Sequence, residues 1–198
     1  MIKNGVIVQD LSSPAFSLKK YKGKYLGINS FWANPLSYVN EEQCKKLSEE
    51  VFHKKNSDGS YTLLEFISNP TLLLNYILKC KELNIDIRVL QVESDYLLEE
   101  SQYEFPVKRF IGYELCEIPF DSQVITDFDW YKPFHRFYKN LNEYGLFDNL
   151  EDALAFKKAY EFEFQIGNIG DGEIDLFVCK ICEIDIDTFI DCFKFKEL

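Results

Sequence analysis

The stretch 174–186 constrains the fold of this chain more than any other. Ile174, Leu176, Val178, Cys182, Ile184 and Ile186 alternate onto one side of an extended backbone, interrupted only by Lys180. The other side carries Phe177, Cys179 and Ile181 at its centre, with Glu173, Asp175, Glu183, Asp185 and Asp187 towards its two ends. The pattern predicts a strand buried at its centre and acidic at each end. A strand of that kind belongs inside a sheet, and the rest of the chain has to supply the neighbours and the cover.

Several segments can do so. Ile85, Ile87 and Val89 alternate with Asp86 and Arg88, which predicts a half-buried strand, and 107–118 is a second. The segments 5–10 and 24–29 are shorter candidates. Asn40-Glu41-Glu42-Gln43 has the form of a capping box, with Asn40 as N-cap ahead of a stripe of Cys44, Leu47 and Val51, and Lys54 and Lys55 closing the helix. Asn69-Pro70 predicts a second helix start, followed by Leu72, Leu73, Tyr76, Ile77 and Cys80 on one face. A third helix is expected over about 129–144, with Phe134, Phe137, Tyr138 and Leu141 inward and Gly145 as the stop. A fourth opens near Asp148-Asn149, with Leu150, Ala153, Phe156 and Tyr160 on a shared face.

The predicted fold class is therefore α+β: a mostly antiparallel sheet packed against about four helices. Strand–helix–helix–strand occurs twice in this order, which hints at an internal duplication, but the low similarity between the halves argues against one. The halves share little beyond Asn84-Ile-Asp-Ile against Glu173-Ile-Asp-Leu. At 198 residues the chain fits a single domain. If it divides into two lobes, 1–98 and 105–198, the polar connector 93–104 is the boundary.

Function is bounded first by what is missing. No run of eighteen apolar residues exists for a membrane span, and the start lacks the apolar core of a secretion signal. A cytoplasmic location is expected, where the six cysteines would stay reduced. Cys179-Lys-Ile-Cys182 has no second pair for zinc, and residues three apart in a strand point to opposite faces. Placed on an EF-hand template, Asn56-Ser-Asp58-Gly59 and Glu65 put Lys54 at the first ligand position, which calcium does not tolerate. No metal and no cofactor is expected. Walker, Gly-x-Gly-x-x-Gly, Gly-x-Ser-x-Gly and His-Glu-x-x-His motifs are all absent. With His53 and His135 as the only histidines, no catalytic residue is assigned.

Charge gives the positive signal. Residues 1–99 carry 12 cations and 12 carboxylates, whereas residues 100–198 carry 10 and 21. The net charge of −11 belongs to the second half alone. Such a field disfavours nucleic acid and attracts basic partners. Two clusters concentrate it. Between 171 and 191, seven carboxylates face only Lys180. Between Phe110 and Tyr131 no Lys or Arg occurs, and Glu114, Glu117, Asp121, Asp127 and Asp129 are interleaved with Tyr113, Phe120, Phe128, Trp130 and Tyr131. Aromatics that anchor beside carboxylates that steer are what a surface for a basic protein uses. The candidate partner-binding residues are Tyr113, Glu114, Glu117, Asp121, Asp127, Asp129, Trp130 and Tyr131. The competing reading makes these aromatics part of the core.

In size, acidity and aromatic content the chain resembles bacterial immunity proteins of toxin–immunity systems. The resemblance rests on no motif, so no residue role is carried over with it. It implies a non-enzymatic protein that neutralises a basic toxin domain, such as a nuclease. Two other classes stand beside it. One is a carboxylate-dependent enzyme such as a small hydrolase, with His135 and Asp129 or Asp127 as its acid/base pair. The other is a structural or assembly subunit.

Overall fold

The computed structural model describes residues 1–11, 35–55, 61–63, 66–94, 101–117, 121–122, 131–170 and 175–194. The strand candidate 24–29 and the loop 56–60 lie outside them. Strands β1 (Ile2–Asp10), β4 (Ile87–Ser94), β5 (Val107–Glu117), β6 (Asp121–Ser122) and β7 (Leu176–Ile184) form one sheet. Its order is β1-β4-β7-β5-β6, and every neighbouring pair is antiparallel. A separate hairpin joins β2 (His53–Lys55) to β3 (Tyr61–Leu63). The described helices are α1 (Glu42–Phe52), α2 (Pro70–Glu82), α3 (Leu150–Gln165) and α4 (Ile186–Lys194), with 3-10 segments at Pro35–Tyr38 and Lys132–Asn140. The fold is α+β, and β7 is its central strand.

Both sides of β7 are covered, as its sequence requires. Val6, Val8, Val89 and Ile184 pack with α1, α2 and α4 through Cys44, Val51, Leu73, Tyr76, Ile77, Phe189 and Ile190. Leu115, Leu176 and Val178 pack with Phe134 and Phe137 of the 3-10 helix and with Ala153, Phe156 and Tyr160 of α3. Leu176, Val178 and Ile184 share one side of β7, so these two clusters cover opposite ends of the same sheet face. On the reverse face Ile7, Leu90, Val92, Ile111, Cys116, Cys179 and Ile181 meet Phe66 and Leu146. Lys180, the one break in the apolar alternation, lies between the two covered ends. Its amine donates to Glu93 at 2.9 Å, and Gln91 donates to the same carboxylate at 3.1 Å.

The sheet has an internal two-fold repeat. Strands β1 and β4 pair as Val6↔Gln91, Val8↔Val89 and Asp10↔Ile87. Strands β5 and β7 pair as Tyr113↔Lys180, Leu115↔Val178 and Glu117↔Leu176, with identical spacing. The registers slip at matching points, beside Gly5 opposite Val92 and beside Gly112 opposite Ile181. Val92 and Ile181 pair with each other where β4 meets β7, so the pseudo-axis passes between them. The repeat extends outward. Val6 exchanges two backbone hydrogen bonds with Ile67, and Tyr113 exchanges two with Phe147. Two residues later come Asn69 and Asn149, the N-caps of α2 and α3. Their buried helix positions coincide as Leu73/Ala153, Tyr76/Phe156 and Cys80/Tyr160. Asp86-Ile87 and Asp175-Leu176, the described ends of the two related tetrapeptides, also occupy equivalent places.

Glycine is required at both slips. Gly5 has φ +142° and Gly112 has φ +155°. A Cβ on Gly5 would stand 2.8 Å from Phe66 Cβ, and one on Gly112 would stand 2.7 Å from Leu146 Cβ. The missing side chain lets Phe66-Ile67 and Leu146-Phe147 close over the outer edges of β1 and β5.

Local sequence signals hold unevenly. Asn69 accepts from Thr71 N and Leu72 N, and Asn149 accepts from Asp152 N. Asn40 does not cap α1: Glu41 holds the N-cap position without a side-chain bond, and Asn40 instead accepts from Lys45 Nζ. Lys54 and Lys55 belong to β2 rather than to the end of α1. Among the described residues of the expected third helix, the structure has a 3-10 segment at Lys132–Asn140, with Pro133 near its start. Phe134 and Phe137 are buried there, and Gly145 turns the chain at φ +73°. Leu150, at the first position of α3, is exposed. No helix among the described residues is long and apolar enough to cross a membrane.

Candidate protein-binding surface

The two acidic stretches that the sequence separates meet in the sheet. Strand β5 ends beside the start of β7, where Cys116 pairs with Phe177 and Glu117 with Leu176. On the other side of β5, Glu117 pairs with Asp121 of β6. Asp175, exposed, directly precedes Leu176. Three carboxyl-bearing positions thus converge on one end of the sheet. In the sequence, neither 111–131 nor 159–179 contains a Lys or Arg.

Tyr131 and α3 extend this end. Tyr131 is half-buried with its ring edge-on to Phe134, at 4.8 Å between centroids. Its hydroxyl donates to Glu163, and Asn168 Nδ2 bonds both that hydroxyl at 3.1 Å and Glu163 Oε2 at 2.8 Å. The bonds from Tyr131 and Asn168, helped by nearby Arg136, hold the Glu163 carboxyl below its ordinary range. The Tyr131 hydroxyl, donating to that carboxylate, is pushed up. A tyrosine and a carboxylate are thereby fixed together at the rim.

The other expected site residues separate. Tyr113 is half-buried against Phe110, with ring centroids 5.1 Å apart, and lies opposite Lys180. Glu114 points to the reverse face and is fully buried, with a carboxylate oxygen 3.2 Å from Leu115 N. Strand alternation places Tyr113, Leu115 and Glu117 on one face and Glu114 on the other, so Glu114 is not displayed to a partner. Asp127, Asp129 and Trp130 lie outside the described residues. His135 is exposed and stacked on Tyr138 at 4.8 Å. Cys179 and Cys182 are buried on alternate faces of β7, and no group of metal-ligating side chains exists among the described residues.

Sequence reasoning missed Phe162 and Ile166. They are 57 % and 52 % exposed at the end of α3, outside its inward stripe and flanking Glu163. The signal was present, because helical spacing from Phe156 and Tyr160 leaves both on the outer side. The repeat adds a second sign. Counted from the N-caps, Phe162 takes the place of Glu82 in α2, and Glu161 takes the place of Lys81. The first copy shows that this helix position folds with a charge, so packing does not demand the exposed Phe162.

No family model, no curated protein and no solved structure matches this chain.

Proposed function

We propose that the chain is a non-enzymatic binding protein of the immunity type, which holds a basic toxin domain against the acidic end of its second repeat. The observation that carries this reading is the convergence of Glu117, Asp121 and Asp175 on one end of the sheet, with Phe162 and Ile166 exposed on the helix whose Tyr160 packs with Leu176. Apolar anchors desolvate on contact and supply affinity, while surrounding carboxylates speed encounter with a basic surface and exclude acidic ones. Asp127, Asp129 and Trp130 are assigned to the same interface by sequence adjacency.

The first repeat supports this by contrast. At the sites equivalent to Lys81 and Arg88, the second repeat has Glu161 and Phe177. Cations that the fold accommodates in one copy are replaced in the other by a carboxylate and an aromatic. Phe177 packs on the reverse-face core, whereas the charge reversal at the partly exposed Glu161 suits a role outside the fold.

Affinity capture with the wild-type chain and with a Phe162→Glu variant tests the proposal. The expected result is a basic protein retained by the wild type, eluted by salt and lost with the variant. Replacing Asp127 and Asp129 by Lys should slow its association about tenfold or more at low salt. Capture that ignores salt and both sets of substitutions would overturn the assignment.

A further inference from the structure

A cavity of about 340 Å³ lies at the other end of β5 and β7, lined among others by Leu11, Lys81, Arg88, Lys108, Glu183 and Asp187. Every carboxylate in its wall is engaged. Glu183 accepts from Lys108 at 2.9 Å and from Arg109 through Nε and Nη2 at 2.9 and 2.8 Å. Asp187 accepts from Lys81 at 2.9 Å, and Asp185 accepts from Thr188 N at the start of α4. Arg88 is less well served. Its Nε stands 3.9 Å from Glu183, and its Nη1 is buried with no hydrogen-bond partner among the described residues. The one buried side-chain nitrogen or oxygen left without a partner among the described residues is therefore a donor, Arg88 Nη1.

Charge does not oppose an anion here. Lys81, Arg88 and Lys108 balance Glu183, Asp185 and Asp187 in the lining, and Arg109 adds a cation on Glu183 from outside it, in a chain of net charge −11. The fold does not require the guanidinium, because β7 carries Phe177 at the position that Arg88 holds in β4. The Arg88 side chain is only 13 % exposed, and a guanidinium nitrogen buried without an acceptor is costly, so the group calls for a partner. The cavity has the volume of a small-metabolite site.

We propose that this cavity binds a small organic anion, whose carboxylate or phosphate oxygens are received by Arg88 and Lys108. Binding turns the guanidinium towards the cavity, since Nη1 lies out of solvent contact, and gives Arg88 the second anion that Glu183 alone does not supply. The site is independent of the acidic end and does not rest on the partner proposed there.

Titration calorimetry with succinate and with inorganic phosphate, each matched by sodium chloride at equal ionic strength, separates the two anion chemistries. The wild type is expected to give saturable binding with at least one of them. Lys108→Gln should weaken it about fivefold, and Arg88→Met should abolish it while leaving the thermal midpoint unchanged or raised. Lys108 is half-exposed, so its variant decides the matter even if Arg88→Met fails to fold. Absence of saturable binding to both anions, or binding unaffected by the substitutions, would overturn the proposal.

Discussion

Replacing Gly112 by alanine isolates what holds the outer edge of the second repeat. Its φ of +155° is one that residues with a Cβ rarely adopt, which costs about 1–3 kcal/mol. The new methyl would also lie 2.7 Å from Leu146 Cβ and 3.0 Å from the Phe147 carbonyl oxygen. Neither is the far end of a flexible side chain, so the backbone bridge between Tyr113 and Phe147 must move, at about 1–3 kcal/mol more. The total is about 2–6 kcal/mol, a large share of a typical domain's stability. Gly5→Ala should cost a similar amount, since its Cβ meets Phe66 and the Ile67 carbonyl in the same geometry. Gly167→Ala separates the two contributions. Gly167 has φ +74° with nothing within 4 Å of a Cβ, so only backbone strain of about 1–2 kcal/mol applies. Urea denaturation of the three variants gives the ranking directly. Equal losses at Gly112 and Gly167 would refute the role given to close approach. A large gap between Gly5 and Gly112 would refute their equivalence in the repeat.

Other outcomes follow from the same geometry. Asn69→Ala and Asn149→Ala should each cost about 1 kcal/mol in denaturation, whereas Asn40→Ala should cost almost nothing, because its side chain caps no backbone amide. Burial works against the Glu183 charge, but hydrogen bonds from Lys108 and Arg109 outweigh it, and the carboxyl titrates below its ordinary value of 4.5. Its stabilising contribution is complete above that value and is lost as pH falls through the lower folded value. Thermal midpoints between pH 7 and pH 3 should therefore fall more steeply for the wild type than for Glu183→Gln. At pH 7 that variant should be less stable by about 2 kcal/mol, allowing for the exposure of Lys108 and Arg109.

The fold was legible where one signal dominated. Strand β7 could be read because both its faces are apolar at the centre, and α2 because Asn69, Pro70 and a regular stripe coincide. The 129–144 segment misled because Phe134, Phe137 and Tyr138 fit a helical period, and periodicity alone does not distinguish a short 3-10 segment from an α-helix. The repeat was nearly invisible. Its two copies agree in register, glycine placement and caps, while the side chains at equivalent positions differ in kind, as Arg88 and Phe177 do. Charge clustering located the acidic end, but only the pairing of β5 with β7 joined its two parts. The inward turn of Glu114 depends on strand register beside the slip at Gly112, which the sequence does not announce. Phe162 and Ile166 lie off the stripe of Phe156 and Tyr160, but helical spacing alone does not tell an exposed apolar residue from one covered by another element.

Hydrogen exchange of the chain, alone and with the basic protein that affinity capture is expected to retain, tests the central claim most directly. Protection is expected at the end of α3 and the following turn, 161–170, and around Glu117, with little change at Lys81 and Arg88. Protection centred on Lys81, Arg88 and Lys108, with 161–170 unaltered, would contradict the assignment of partner recognition to the acidic end of the second repeat.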